Sequence, residues 1–187
     1  MAPFAKRIHL DCMDGKFAPT KSPGLNHLQW HHNLEVDLHL MYEHPENEID
    51  EIIRLKPELV IVHAEAGGNF VVIARQLHEA NIRIGVALLP KTPIDVIKPA
   101  LEYTDHVLIF SGDLGHFGGS ANLVLLDKVK KAKDLNPELE IGWDGGVSDT
   151  NVAQLVDAGV DVLNVGGYIQ RAEKPAERYD ILSNLIN

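Results

Sequence analysis

The feature that most constrains the fold of this sequence is a regular alternation of short β-rich runs with amphipathic helical runs. Strands predicted at Glu35, Leu59 and Arg83 start about 24 residues apart, a spacing suited to βαβ units with right-handed crossovers. The predicted strands are Arg7–Asp11, Glu35–His39, Leu59–His63, Arg83–Leu88, His106–Ser111, Glu140–Asp144 and Val162–Val165. The predicted helices are Pro45–Leu55, Asn69–Ala80, Ile94–Tyr103, Leu123–Leu135, Thr150–Ala158 and Pro175–Ile186. The pattern predicts an α/β protein with a parallel sheet of seven strands.

Polar residues gather at the C-terminal ends of these strands. They are His9 and Asp11, Asp37 and His39, His63 and Glu65, and Asp144. Barrels of βα units build their active sites at that face, from the ends of several strands. An open doubly wound sheet should instead show a glycine-rich turn opening its first helix, and Met13-Asp-Gly-Lys-Phe-Ala-Pro19 is not such a turn. A TIM-type (β/α) barrel is therefore predicted.

Composition limits the remaining possibilities. A chain of 187 residues with 45% hydrophobic content fits one domain over residues 1–187. A net charge of −10 argues against binding to nucleic acid, and no apolar run is long enough to span a bilayer. Cys12 is the only cysteine, so no internal disulfide can form. Because the N-terminal residues also lack the apolar core of a signal peptide, we expect a cytoplasmic protein without a membrane partner.

The His9-Leu-Asp11 stretch is the first candidate for chemistry. Alternate residues of a strand share a face, so His9, Asp11 and Met13 should point one way and Leu10 and Cys12 the other. An imidazole beside a carboxylate can hold a divalent metal, although an isolated pair of this kind also forms an ordinary hydrogen bond at a strand end. The recurrence of similar groups at later strand ends favours the metal site.

Paired glycines follow the last two predicted strands. Gly145 and Gly146 come directly after Asp144, and Gly166 and Gly167 come after Val165. Such glycines let backbone N–H groups approach a phosphate closely, and they also serve tight turns that need positive φ. Their position after the last strands, where barrels commonly bind phosphate, favours phosphate binding.

Several stretches together resemble the ribulose-phosphate 3-epimerase family. The matching stretches are His9-Leu-Asp-Cys-Met-Asp-Gly15, Asp37-Leu-His-Leu-Met41, Val62-His-Ala-Glu-Ala66, Gly85-Val-Ala-Leu-Leu-Pro-Lys-Thr-Pro93, Gly115 to Gly119, Asp144-Gly-Gly-Val147 and Gly159-Val-Asp-Val-Leu-Asn-Val-Gly166. They cover nearly the whole chain in the family's order. The resemblance implies a ribulose-phosphate-binding barrel that interconverts D-ribulose 5-phosphate and D-xylulose 5-phosphate.

The resemblance also implies roles for individual residues. By it, His9, Asp11, His39 and Asp144 are metal ligands, and Asp11 and Asp144 form the acid/base pair. The implied substrate-binding residues are Met13, Met41, Gly118, Gly119, Gly145, Gly146, Gly166 and Gly167. Epimerisation beside a ketone removes a proton from one face and returns one to the other, through an enediolate that a metal ion stabilises.

The residue types leave open which metal is bound, what His63 and Glu65 do, and which ketose phosphate is the substrate. Two imidazoles and two carboxylates suit Zn²⁺ or Fe²⁺, with Mn²⁺ or Co²⁺ also compatible. His63 and Glu65 are candidates for supporting the ligands, and His63 can equally be a core histidine. The alternative functions are an epimerase for another ketose phosphate, such as allulose 6-phosphate, and a catalytically silent relative that binds a phosphorylated sugar.

The sequence also departs from the family pattern. The family begins with a further strand and helix, whereas this chain starts at the equivalent of the second strand and leaves only Gly24–His32 for the next helix. Asp113-Leu-Gly-His-Phe-Gly-Gly119 is one residue longer than the usual loop and lacks its proline, Phe110 replaces a methionine, and Trp143 precedes Asp144.

A missing unit would leave the strand edges at Arg7 and Val165 without their usual neighbour. Direct closure of seven strands, coverage by residues 1–6, or coverage by another subunit would each fill the gap. Since Pro3 and Phe4 have no helix of their own to protect them, we expect a homo-oligomer.

Overall fold

A computed structural model describes residues 4–116 and 118–186. Its strands are β1 (Arg7–Met13), β2 (Glu35–Met41), β3 (Leu59–His63), β4 (Arg83–Leu88), β5 (His106–Phe110), β6 (Glu140–Asp144) and β7 (Val162–Asn164). They form one parallel sheet in which each strand pairs with its neighbours in chain order. The predicted seven-stranded (β/α) barrel is confirmed. Pro3 of the N-terminal arm and Phe117 of the loop after β5 lie outside the described residues.

Helical segments follow each strand. They are 3₁₀ turns at Leu25–His27, Pro45–Glu48 and Leu123–Leu125, a 3₁₀ segment at Ile94–Tyr103, and helices α1 (Ile49–Leu55), α2 (Phe70–Glu79), α3 (Leu126–Leu135), α4 (Val152–Asp157), α5 (Gly167–Gln170) and α6 (Pro175–Leu185). The helical segment predicted at Ile94–Tyr103 is present with those bounds. It is a 3₁₀ segment rather than an α-helix because Pro99 lies inside it, and a proline ring clashes with the preceding α-helical turn. Among the described helices, none combines the length and apolar character needed to cross a membrane.

Some element boundaries also differ from the prediction. β1 and β2 each extend two residues further, because Met13 pairs with Met41 in register. Helix α4 begins only at Val152, two residues after the predicted start at Thr150, and the Ser148 amide before it donates to Asn151 Oδ1 at 2.9 Å. The extensions bring Met13 and Met41 into β1 and β2, beyond the polar residues His9, Asp11 and His39.

The two faces of the strands have different roles. Outward residues such as Cys12, Leu38 and Trp143 are buried against the helices. Inward residues form a small apolar layer of Leu59, Ile61, Ala87 and Leu108. Above this layer, the ends of β1, β2 and β6 carry His9, Asp11, His39 and Asp144. The expected alternation along β1 is therefore present, and Trp143 lies on the opposite face from Asp144.

The sheet is nearly closed, with its edges at β1 and β7. Within residues 4–116 and 118–186, no strand pairing joins these two edges. The Phe4 ring packs on Tyr179 of α6 with centroids 5.1 Å apart, so the N-terminal arm has a packing partner within the chain. This contact removes one reason for expecting a subunit contact there, and the homo-oligomer stays a prediction.

An ionic network holds β1 at the opposite end of the barrel. Arg7 donates to Asp37 Oδ2 at 2.9 Å and, with both terminal nitrogens, to the Glu140 carboxylate at 2.9 and 3.0 Å. His106 Nδ1 lies 2.8 Å from Glu140 Oε2. Since Glu140 belongs to β6, Arg7 connects the edge strand β1 to the far side of the sheet.

Replacing Arg7 with methionine is expected to lower the free energy of unfolding by about 3 kcal/mol at pH 7, because it leaves the buried Asp37 carboxylate without its cation, whereas Glu140 keeps its ion pair with Arg83. The loss should be smaller at pH 5, since burial already raises the pKa of Asp37 and a protonated carboxyl needs no counterion. Urea unfolding at both pH values measures the effect. The exposed Arg54, paired with Glu51 on the surface of α1, supplies the control Arg54→Met, and equal unfolding curves for both variants would contradict the prediction.

Candidate active site

Four side chains from three strands meet at the C-terminal face of the barrel. The register of β1 with β2 places Asp11 directly beside His39. His39 Nδ1 lies 2.9 Å from Asp11 Oδ1 and 3.9 Å from Asp144 Oδ2, and His9 Nε2 lies 3.3 Å from Asp11 Oδ1. Residues separated by up to 135 positions along the chain thus share one small volume.

This group has the composition and spacing of a metal site. One potential ligand atom from each of His9, Asp11, His39 and Asp144 lies within 4.8 Å of all the others. Both ring nitrogens of His9 are buried without a well-aligned hydrogen bond to any described residue, which is costly unless another group binds them. Two imidazoles and two carboxylates suit a divalent transition metal. The donor set therefore fits a metal ion.

The two carboxyl groups have pKa values displaced in opposite directions. Burial and the negative charge of Asp11 raise the pKa of Asp144 to about 6, against the opposing effect of His9. Burial would also raise the pKa of Asp11, but the hydrogen bond with His39 and the close approach of His9 outweigh it and lower that pKa below its ordinary value. Pairs of titratable groups separated in this way are typical of acid/base sites.

The ring of His39 contacts a second imidazole, that of His63, on the side away from Asp11. His39 Nε2 lies 2.9 Å from His63 Nε2, and His63 Nδ1 lies 3.4 Å from Glu65 Oε2. The other Glu65 oxygen accepts hydrogen bonds from the Leu89 amide and the Thr92 hydroxyl. Because His39 and His63 are both fully buried, this arrangement fixes the orientation of the His39 ring.

A cavity of about 1440 Å³ opens directly above the group. It is lined by His9, Asp11, Asp144, Met13, Met41, Gly118, Gly119, Gly145, Gly146, Gly166 and Gly167, and by others. Met13 and Met41 form an apolar cluster with Ala18, Phe17 and Leu114, and the Phe17 ring packs on His63 at 4.7 Å. The cavity therefore has a charged floor and an apolar wall.

The glycines predicted to bind phosphate fall into two groups. Gly145 and Gly146 have φ of 113° and 72°, and a side chain on either would collide with the backbone of Gly112 or Ala121. Close packing between loops is thus one reason for these two glycines. A Cβ on Gly119 or Gly166 would meet no atom within 4 Å, so these two residues border open space in the cavity.

The chain matches a known protein family over most of its length. The family model described as "Ribulose-phosphate 3 epimerase family" matches residues 3–170 of the chain. The chain belongs to the ribulose-phosphate 3-epimerase family. The resemblance noted in the sequence is confirmed, and the chain is an epimerase of the isomerase class.

Individual epimerases support this assignment. The ribulose-phosphate 3-epimerase of Schizosaccharomyces pombe is 33% identical over 186 residues, covering 96% of this chain and 80% of that protein. The enzyme of the same name from Aquifex aeolicus is 32% identical over 169 residues, with coverage of 87% and 76%. A chloroplastic epimerase of Arabidopsis thaliana is 33% identical over 184 residues, with coverage of 91% and 64%. Since one of these relatives is chloroplastic, the cytoplasmic location stays a prediction.

Solved structures show the same fold at lower sequence identity. A crystal structure of 3-hexulose-6-phosphate synthase superposes with a TM-score of 0.67 at 21% identity, over 84% of this chain and 76% of that chain. A crystal structure of KGPDC from Streptococcus mutans gives a TM-score of 0.62 at 14% identity, over 82% and 72%. At these identities the likeness extends to the fold alone.

The structure brings together every site residue predicted for this epimerase. His39 is the one member that does not line the cavity, because it is fully buried beneath it. Phe17 and Leu114 were not predicted as site residues. They pack against Met13 and Met41 from two different loops. An isolated phenylalanine in the loop after β1, two residues before Pro19, was the available signal for Phe17, whereas nothing distinguished Leu114.

Proposed function

We propose that this epimerase interconverts D-ribulose 5-phosphate and D-xylulose 5-phosphate with one divalent metal ion held by His9, Asp11, His39 and Asp144. The observation that carries the proposal is the convergence of two carboxylates and two imidazoles within 4.8 Å at the floor of the cavity. Membership in the family supplies the substrate class. The phosphorylated ketose is accordingly the expected partner.

Asp11 and Asp144 act as the acid/base pair in this proposal. They come from β1 and β6, two strands that are not neighbours in the sheet, and a substrate carbon within reach of both can lose a proton to one carboxylate and gain one from the other. Inversion at C3 requires two such groups on opposite faces. His9 and His39 hold the Asp11 carboxylate through its Oδ1 atom, which fixes its direction.

The metal ion would supply positive charge beside the substrate oxygens on which negative charge develops during proton removal. Zn²⁺ and Fe²⁺ are the leading candidates, with Mn²⁺ and Co²⁺ as further ones. Met13, Met41 and Phe17 exclude water from one side of the reacting carbons, since their side chains form the apolar wall. Gly118, Gly119, Gly166 and Gly167 offer backbone N–H groups to the phosphate, with Gly145 and Gly146 next to them.

The first test is conversion of pure D-ribulose 5-phosphate by the purified protein loaded with each of the four metals. Formation of xylulose 5-phosphate, followed by NMR of the sugar, is the expected result. Because a cavity of about 1440 Å³ also accommodates a six-carbon sugar, allulose 6-phosphate is assayed beside it. Turnover of neither sugar phosphate, with binding of both retained, would favour the silent sugar-phosphate-binding relative.

Metal content is a separate prediction. Protein loaded with Zn²⁺ or Fe²⁺ and freed of excess metal is expected to hold one ion per chain, measured by elemental analysis. His39→Ala removes one imidazole from the ligand set and should lower the content under identical loading. Wild-type protein that takes up none of the four metals would overturn the assignment.

A further inference from the structure

Arg171 is placed at the cavity by the short helix that follows β7. It comes four residues after Gly167, and side chains of helical residues lean towards the N-terminus of their helix. The guanidinium group therefore lies back over Gly167. A Cβ built on that glycine would be 3.7 Å from both Cζ and Nε of Arg171.

A second glycine turn meets the same guanidinium group. A Cβ built on Gly118, in the loop after β5, would lie 2.9 Å from Nη2 and 3.4 Å from Nη1 of Arg171. The Cα of Gly118 is 3.9 Å from the Cβ position of Gly167. The loops that follow β5 and β7 thus meet at Arg171, and the absence of a side chain on Gly118 makes room for its guanidinium.

Few of the described residues that line the cavity are basic, and Arg171 is one of them. Among the described residues that line it, the arginines are Arg7 and Arg171, and there is no lysine. Arg7 is paired with Asp37 and Glu140 at the other end of the barrel. In a chain with a net charge of −10, a phosphate dianion bound near the glycine turns needs a nearby cation.

We propose that the Arg171 guanidinium binds the phosphate group of the ketose phosphate directly, beside the backbone N–H groups of the turns at Gly118 and Gly167. This inference rests on the proposed function for the presence of a phosphorylated substrate. The planar guanidinium presents several donors in a fixed fork that matches phosphate oxygens. Arg171 is exposed and lines the cavity. Arg171 is thereby a substrate-binding residue remote from the acid/base pair.

The test compares Arg171→Gln and Arg171→Lys with a matched control, Arg178→Gln. Arg178 is another arginine of the C-terminal segment, and its guanidinium donates to the Tyr168 hydroxyl at 3.0 Å. Dissociation constants for inorganic phosphate and for ribulose 5-phosphate are measured by calorimetry, which needs no turnover. Steady-state kinetics and thermal unfolding are recorded for the same proteins.

For Arg171→Gln we expect KM and the dissociation constants for phosphate and ribulose 5-phosphate to rise about 10- to 100-fold, with kcat changed less than about threefold. The reason is that the lost contact is a charge-assisted hydrogen bond to the phosphate group and not to the reacting carbon. Arg171→Lys should fall between this variant and wild type, since it keeps the charge and loses the fork. Arg178→Gln should match wild type in binding.

Three results would overturn the inference. The first is unchanged phosphate binding by Arg171→Gln, and the second is equal weakening in Arg178→Gln, which would indicate only general electrostatics. The third is a lower melting temperature and lower kcat with unchanged binding, which would make Arg171 a clamp between two loops. Wild-type protein that binds phosphate without epimerising would contradict the proposed function, while the binding comparison would still decide the role of Arg171.

Discussion

Exchanging Asp144 for asparagine is expected to lower kcat for ribulose 5-phosphate by about 10³-fold, because an amide cannot accept or return a proton. The side chain keeps its size, so the fold and the neighbouring contact with His39 should be largely retained. The same exchange at Asp11 should have an effect of similar size. Rates of xylulose 5-phosphate formation with metal-saturated protein measure both.

Exchange with deuterated water separates the roles of the two carboxylates. If each acts on one face of C3, each asparagine variant should still exchange the C3 proton of one epimer and lose exchange of the other. The exposed Asp149, on the loop after β6, supplies the control Asp149→Asn. Metal content must be measured in every sample, since both residues are also proposed metal ligands. A fully metallated Asp144→Asn protein with wild-type turnover would refute the two-base mechanism.

The positions of Asp11 and Asp144 could be predicted from the sequence because they follow from the geometry of parallel strands. His9, Asp11 and Met13 alternate along β1, and parallel strands joined by helical crossovers bring their C-terminal ends to one face. The polar strand ends therefore predicted the floor of the site. The resemblance to the epimerase family added the role of each residue, which spacing alone leaves open.

Other features depend on contacts that a sequence pattern does not encode. The helical periodicity at Ile94–Tyr103 is present, but Pro99 prevents the α-helical hydrogen bonds that normally accompany it. The cover formed by Phe17 and Leu114 joins loops almost 100 residues apart, and loop conformation has no periodicity to follow. The His39–His63 contact depends on the direction of two rings on adjacent strands, which residue order does not fix.

The contact between His39 and His63 restricts the tautomer of His39, a proposed metal ligand. His39 Nδ1 faces Asp11 and Asp144, so it is the atom available to a metal and must then carry no proton. The proton belongs on Nε2, which donates to His63 Nε2. His63 in turn carries its proton on Nδ1, facing Glu65 Oε2. An ionised Glu65 thus selects the tautomer of His39 that binds metal, as carboxylates commonly do behind metal-binding histidines.

Glu65→Gln is expected to weaken metal affinity about 10- to 100-fold with little loss of stability. The glutamine oxygen should stay with the Leu89 amide and the Thr92 hydroxyl, which turns its NH₂ group towards His63. That group donates a hydrogen bond to His63 Nδ1, so the proton of the neutral His63 ring must lie on Nε2, which can no longer accept a hydrogen bond from His39. Competition with a chelator measures the affinity, and nitrogen NMR of the imidazoles reports the tautomers.

The control for this prediction is His106→Leu. His106 is another buried histidine of the barrel interior, bonded to Glu140 rather than to the four-residue group. Its loss should lower the free energy of unfolding while leaving metal affinity near the wild-type value. Glu65→Gln should show the reverse. If the two variants lowered stability and metal affinity in the same proportion, His63 and Glu65 would be packing residues, because a role in tautomer selection must separate the two quantities.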